Sequence, residues 1–261
     1  MTPYEWHKPL FEYAAKLGIV CFSTPFDENA VDMLDELGAP CHKIASFENN
    51  HHPLLRKVAK TKKPVIMSTG VSTLSDTDES VNVLRNSGCK QLVLLKCTST
   101  YPASPENTNL LTIPHMKQTF GCHIGLSDHT MGVGASVAAT ALGACVIEKH
   151  FCLSRNEGGV DSAFSLEPDE FKLLVQETER AFLAIGKVQY GVQSSEQKSL
   201  LHKRSIYVTK DIYPGEQFTN ENIRIIRPGD GLAPKYFEKI MGKESGKFIS
   251  RGTPLTWDVI L

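Results

Sequence analysis

The sequence has almost no net charge: 28 Lys and Arg against 29 Asp and Glu leave −1 over 261 residues. Without a basic field, neither nucleic acid nor an anionic lipid surface is drawn to it, and both are set aside as partners. No apolar run reaches the ~18 residues of a membrane span, and the N-terminus carries no secretory signal pattern. The seven cysteines show no Cys-x-x-Cys spacing, and their odd number excludes a complete disulfide framework. Buried thiols in a reducing cytoplasm are expected. There is no Gly-x-x-x-x-Gly-Lys-Ser/Thr loop, and Ser23, Ser68 and Ser127 lack the context of a nucleophile elbow. Gly132-x-Gly134 opens a helix after a strand, but Val137 stands where a dinucleotide fingerprint needs Gly or Ala. Its small residues fit close helix packing instead. His51 and His52 adjoin at a helix start, where their side chains diverge, and read as surface residues.

What is present is ordinary for a globular protein with a sizeable core: 41% hydrophobic and 22% charged residues. Helix and strand patterns alternate from residue 4 to about 187. Strands are expected over 18–22, 41–45, 64–67, 91–95, 122–126 and 144–147, with amphipathic helices between them and a long one over 167–185. Such alternation implies a parallel sheet covered by helices. Hydroxyls, charges and imidazoles gather after the strands, as in an α/β barrel whose site lies at the strands' carboxyl ends. An open doubly wound sheet would place its ligand at one crevice only. Six strands are two short of a ring. The expectation is therefore a (β/α)8 TIM barrel over 1–190 that lacks about its first two βα units, leaving exposed sheet edges. A polar linker (191–199) and a small mostly-β module (200–261) follow, with strands expected over 205–208, 224–226 and 247–249.

Two histidines say most. His129 follows the apolar run 122–126, and His150 follows 144–147. A strand–helix–strand unit returns the second strand parallel beside the first, so both imidazoles project at one rim. A lone histidine near a strand end is more often a structural residue. Here each sits in a polar cluster where a buried strand finishes, which favours a site. Two imidazoles without an obvious third protein ligand do not make a sound zinc centre. An octahedral ion that keeps waters fits better, Mn²⁺ or Mg²⁺, with imidazole tilting the choice to manganese. Such an ion acts as a Lewis acid on a carbonyl. Lys43 and the rim hydroxyls offer a cation and donors for a phosphate or carboxylate, against the blander reading of Lys43 as a solvated charge. Together they suggest carbon–carbon bond formation with a phosphorylated enol or keto acid.

The motifs Phe22-Ser-Thr-Pro-Phe-Asp27, Lys43-Ile-Ala-Ser46, Ser68-Thr-Gly70, Gly125-Leu-Ser-Asp-His-Thr130, Glu148-Lys-His-Phe151 and Ser165-Leu-Glu-Pro168 resemble the sialic acid synthase family. The closing module is similar to that family's antifreeze-like (SAF) domain, in Arg204-Ser205, Lys210-Asp-Ile212, Gly215-Glu216 and Arg227-Pro-Gly229. The run Gly159 to Ser165 resembles the pseudaminic acid synthase branch. The resemblance implies condensation of phosphoenolpyruvate (PEP) with an open-chain N-acetylated amino sugar, a diacetamido-trideoxy-altrose in that branch, releasing phosphate.

It further implies that His129 and His150 hold the metal, and that Thr24, Lys43, Ser46, Ser68 and Ser127 bind PEP. Ser99 stands where family members often carry Asn. Tyr101 follows in register beside the sugar, and Glu48 and Asp161 handle sugar hydroxyls or protons. Arg227 would reach the acceptor from a second subunit of a domain-swapped homodimer. The family's opening acidic strand and a PEP-binding lysine of the second βα unit have no counterpart here. Competing readings are an N-acetylneuraminate or legionaminate synthase, a metal-dependent aldolase or lyase that does not use PEP, and a truncated remnant or carbohydrate-binding protein.

Overall fold

The computed structural model describes residues 2–261, which form two compact units, one ending at Gly186 and the other Lys187–Leu261. The first unit opens with α1 (Tyr4–Lys16) and α2 (Glu28–Glu36). The Asp27 carboxylate caps α2 by accepting the Ala30 amide. Then β1 (His42–Ile44), α3 (His52–Lys60), β2 (Val65–Ser68), α4 (Leu74–Asn86), β3 (Leu92–Cys97), α5 (Thr112–Phe120), β4 (His123–Asp128), α6 (Gly134–Ala141), β5 (Ile147–Lys149) and α7 (Pro168–Ile185) alternate. Local chemistry sets the boundaries. Thr73 and Asp76 close a capping box on α4, Gly121 ends α5 in the left-handed region, and Pro168 starts α7.

The five strands pair in parallel in chain order, β1 to β5. Strand alternation gives the sheet two chemically different faces. Ile44, Val65, Met67, Leu94, Ile124 and Leu126 point to the helices and meet Leu54, Leu55, Val58, Val81, Leu84 and Ile113 in the main core. The intervening positions carry Lys43, Ser68, Cys97, Ser127 and Glu148 on the opposite face. In a flat sheet four intervals of about 4.8 Å would hold β1 and β5 about 19 Å apart. Yet Lys43 on β1 lies 3.5 Å from the Glu148 carboxylate on β5. The sheet is therefore strongly curled, like a segment of barrel wall.

Two expected strands do not form. Residues 18–22 stay irregular: no neighbouring strand pairs with them, Gly18 is left-handed, and Ile19 and Val20 are exposed. An apolar run becomes a strand only when its backbone groups find partners. In the second unit β6 (Ser205–Val208) pairs antiparallel with β7 (Ile223–Ile226). The stretch 247–249 contributes only an isolated bridge, Ile212 to Ile249. This unit has its own core of Ile206, Ile212, Phe218, Ile223, Ile240 and Leu255, and the short helix α8 (Phe237–Ile240) lies within it. The stretch read as a linker runs into short 3₁₀ turns, Ser194–His202.

All seven cysteines are unpaired, but only Cys89 and Cys97 are buried and Cys145 is exposed, so the expectation of buried thiols holds for two. Among the described residues no helix is long and apolar enough to cross a membrane. Leu94 is fully buried at the sheet centre. Leu94→Ala is expected to lose about 2–5 kcal/mol of unfolding free energy, whereas Val160→Ala, at a fully exposed position, stays within about 0.5 kcal/mol, both read from urea titrations.

Candidate active site

The curled face gathers its polar groups at the carboxyl ends of β1 to β5. Lys43 is buried, and its ammonium donates to Ser68 Oγ at 2.8 Å and to the Ile44 carbonyl at 2.9 Å. Glu148 joins it to the far strand and accepts Ser127 Oγ at 2.6 Å. Burial pulls the Lys43 ammonium below the usual lysine range, and Glu148 opposes that shift. Between the ends of β1 and β3 lies Gly70. Its amide donates to Ser46 Oγ at 3.1 Å, and a Cβ there would fall 2.6 Å from that oxygen and closer still to Ser99 Oγ. A side chain at this position would force the two hydroxyls to shift. Asn49, itself buried, holds this corner by donating to the Gly70 carbonyl at 3.1 Å and to Ser72 Oγ at 2.5 Å.

His129 and His150 stand side by side at the same rim, with ring centroids 5.3 Å apart. The Nδ1 of His129 lies 2.9 Å from the Thr98 carbonyl, an arrangement that requires Nδ1 to donate. His150 Nδ1 lies 3.5 Å from Asp161 Oδ2. Both Nδ1 atoms thus face acceptors, which leaves the Nε2 lone pairs to bind an ion. Burial draws His150 below the usual histidine range, helped by the adjacent His129, which favours its neutral form. For His129, burial pulls down while Cys97 and the Thr98 carbonyl pull up, and the upward pull wins. Among the described residues no group of three or more His, Cys, Asp and Glu could hold a metal. The protein therefore offers two imidazoles, and a cation there would complete its shell with waters or substrate oxygens, the donor set suited to Mn²⁺ or Mg²⁺.

The remaining expected residues divide. Tyr101 packs tilted against His129 and edge-on to His150, at 4.3 Å and 5.9 Å between centroids, and Phe164 backs it at 5.7 Å. Asp161 is half-exposed beside His150. Glu48 sits on the 3₁₀ turn Ser46–Glu48 after β1, with Oε2 buried and unpartnered. Thr24 faces a neighbouring recess, which it lines with Tyr4, His7 and Asp27, and no hydrogen bond joins it to the Lys43 cluster among the described residues. Arg227 is an exposed residue of the second unit, directly after β7.

Sequence reasoning passed over three groups. Glu148 and Asn49 are two. Cys97 is the third: it faces His129 Nδ1 at 4.0 Å and Ser99 Oγ at 3.6 Å. Burial pushes its thiol up, but contacts with His129, Ser46 and Ser99 outweigh that and bring it to about 7. The period-two alternation through Leu95 would have placed it inward.

The ordered pair of histidines beside a lysine and hydroxyl cradle lies at the carboxyl ends of parallel strands, where α/β-barrel enzymes carry their active sites. The model described as the NeuB family matches residues 1–190, and that described as the SAF domain matches residues 203–261. The chain belongs to the NeuB family of sialic and pseudaminic acid synthases and carries a C-terminal SAF domain. It is 43% identical over 254 residues to the pseudaminic acid synthase of Campylobacter jejuni, covering 97% of this chain and 74% of that protein. An N,N'-diacetyllegionaminic acid synthase from the same species is 41% identical over 244 residues, 92% of this chain and 73% of that one. The crystal structure of the spore coat polysaccharide biosynthesis protein SpsE of Bacillus subtilis superposes with a TM-score of 0.68 at 34% identity, covering 100% of this chain and 78% of that one.

Gly70→Ala is expected to displace Ser46 and Ser99 and to weaken anion binding, read as a raised Kd for PEP at unchanged secondary structure by circular dichroism. Asp128, buried behind the site, gives a pH prediction. Burial raises its pKa, but bonds from Lys149 and Ser136 more than offset this and hold it below the ordinary value. A carboxyl with a depressed folded pKa stabilises the protein above its unfolded pKa of about 4, and that contribution is lost as pH falls through the folded value. Between pH 6 and 2 the wild-type Tm should therefore fall more steeply than that of Asp128→Asn.

Proposed function

We propose that the protein is a pseudaminic acid synthase, condensing PEP with 2,4-diacetamido-2,4,6-trideoxy-altrose in its open-chain form. The single observation that carries this reading is the convergence of Lys43, four serine hydroxyls and a pair of oriented imidazoles on one curled face. The anionic ends of PEP would lie against Lys43, Ser46, Ser68, Ser99 and Ser127, with Thr24 a further donor. To seat there, a phosphate or carboxylate must take over the contacts that Glu148 now makes with Lys43 and Ser127. His129 and His150 would hold Mn²⁺ or Mg²⁺, which supplies Lewis-acid polarisation of the sugar aldehyde.

Around that centre the chain's own residues orient the acceptor. Tyr101 presents a flat apolar surface beside the imidazoles. Asp161 and Glu48 offer carboxylates to hydroxyls or to the proton balance, and Asp161 also keeps His150 oriented. The condensation joins the methylene carbon of PEP to the aldehyde carbon, while one water adds at the phosphate-bearing carbon and inorganic phosphate is released. We place the sheet as part of a (β/α)8 barrel wall, and Arg227 in contact with the acceptor bound by the other subunit of a domain-swapped homodimer. The setting is cytoplasmic, which the unpaired cysteines support.

The diacetyllegionaminic acid synthase relative favours a second reading, in which the same site takes another diacetamido stereoisomer. A phosphate-release assay with PEP and Mn²⁺ separates them. Turnover is expected with the altrose derivative and little with N-acetylmannosamine. Preference for another stereoisomer would support the second reading, and no turnover with any of them would reject both. His150→Ala is expected to lower turnover at least 100-fold and to remove its dependence on added Mn²⁺.

A further inference from the structure

On the helix-facing side of β4 and β5, directly behind the two imidazoles, lies an ion pair with almost no exposure. Asp128 and Lys149 meet at 2.8 Å, with side chains 0% and 1% exposed. Each immediately precedes one of the histidines. They also form the last register pair of the β4–β5 ladder, so no ladder bond between these strands holds residues 129 and 150 beyond it. Asp128 spends its remaining acceptor capacity around His129. Its Oδ2 accepts Ser136 Oγ at 2.6 Å, and its Oδ1 accepts the Thr130 amide and Thr130 Oγ1, each at 2.8 Å. Lys149 donates in turn to the Thr130 carbonyl at 2.5 Å. The backbone after His129 is thus gripped through both its N–H and its C=O, and the grip is anchored to the residue before His150.

Burying such a pair is a poor route to stability. An apolar pair of similar volume is often as stable or more so, whereas removing one partner alone strands a buried charge. A fully satisfied buried network does, however, fix one geometry. We propose that Asp128 and Lys149 are positioning residues that set the spacing of His129 and His150 and thereby the affinity of the pair for a divalent cation. This rests on the reading of the two histidines as ligands of Mn²⁺ or Mg²⁺.

The test measures Mn²⁺ binding by the full-length chain, by titration calorimetry and by the electron paramagnetic resonance spectrum of the bound ion, alongside urea unfolding. The double variant Asp128→Leu/Lys149→Met removes both charges together, so neither is left buried without its partner. It also leaves the buried Thr130 and Ser136 groups without their partners, and is expected to unfold at a lower urea concentration than wild type, to bind Mn²⁺ at least tenfold more weakly, and to show an altered spectrum of the bound ion. Ser136→Ala and Thr130→Val each remove part of the grip on Asp128 without stranding a charge. They are expected to weaken binding by smaller steps, and this series decides the matter should the double variant not fold. Folded variants that bind Mn²⁺ as tightly as wild type, with the same spectrum, overturn the positioning role and leave the metal reading intact. Wild-type protein whose Mn²⁺ binding is absent, or unchanged by His129→Ala, overturns the metal reading itself.

Discussion

The contact between Lys43 and Glu148 is the constraint on which the site depends, because it joins the first and last strands of a five-stranded sheet. Every polar group on that face comes within reach of the others only because the sheet bends that far. The bend has a local cause between β4 and β5. A Cβ at Gly125 would lie 2.3 Å from the Val146 carbonyl oxygen and 2.6 Å from a Leu95 methyl. The absence of a side chain there lets neighbouring backbone crowd inward on the concave side, while Leu94, Ile124 and Leu126 fill the convex side against the helices. Packing on one face and emptiness on the other are two aspects of one curvature.

The same alternation partitions the charges. Odd and even positions of a strand answer to different surroundings, so adjacent residues with similar chemistry take unrelated tasks. Glu148 faces the concave cradle and bonds Ser127, while Lys149, its neighbour, faces the helices and bonds Asp128. Ser127 and Asp128 divide in the same way. A cluster that looks uniformly polar in one dimension is two separate networks, one open to a substrate and one sealed from water.

This explains what was legible in the sequence. The histidines were, because each ends an apolar run inside a strand–helix–strand unit whose handedness and parallel return are nearly obligatory. The hydroxyls at 46, 68 and 127 were, because they punctuate strand ends. Glu148 and Cys97 were hidden only by reading the polar clusters without splitting them by parity. Asn49 left no such signal: a polar residue in a turn reads as solvent-facing until the fold sets it against the Gly70 carbonyl and Ser72 Oγ beyond β2. The misread strand at 18–22 marks a different limit. Its composition is right, but strand formation is a property of pairs, and a hydrophobic pattern says nothing about whether a neighbour is there to bond.

The loop carrying Asp161 is tied at its base by one side chain. Arg155 bonds the Ser165 carbonyl at 2.9 Å and forks onto Glu170 at 2.5 and 3.0 Å, while its own amide donates to Glu167 at 2.8 Å. The glycines at 158 and 159, both at positive φ, sit inside the closed arc, free of that clasp. Entry and exit of the arc are therefore fixed to the start of α7, while its tip, residues 157–161, is exposed. Such a segment behaves as an interchangeable cassette: its interior can change in sequence without disturbing either anchor.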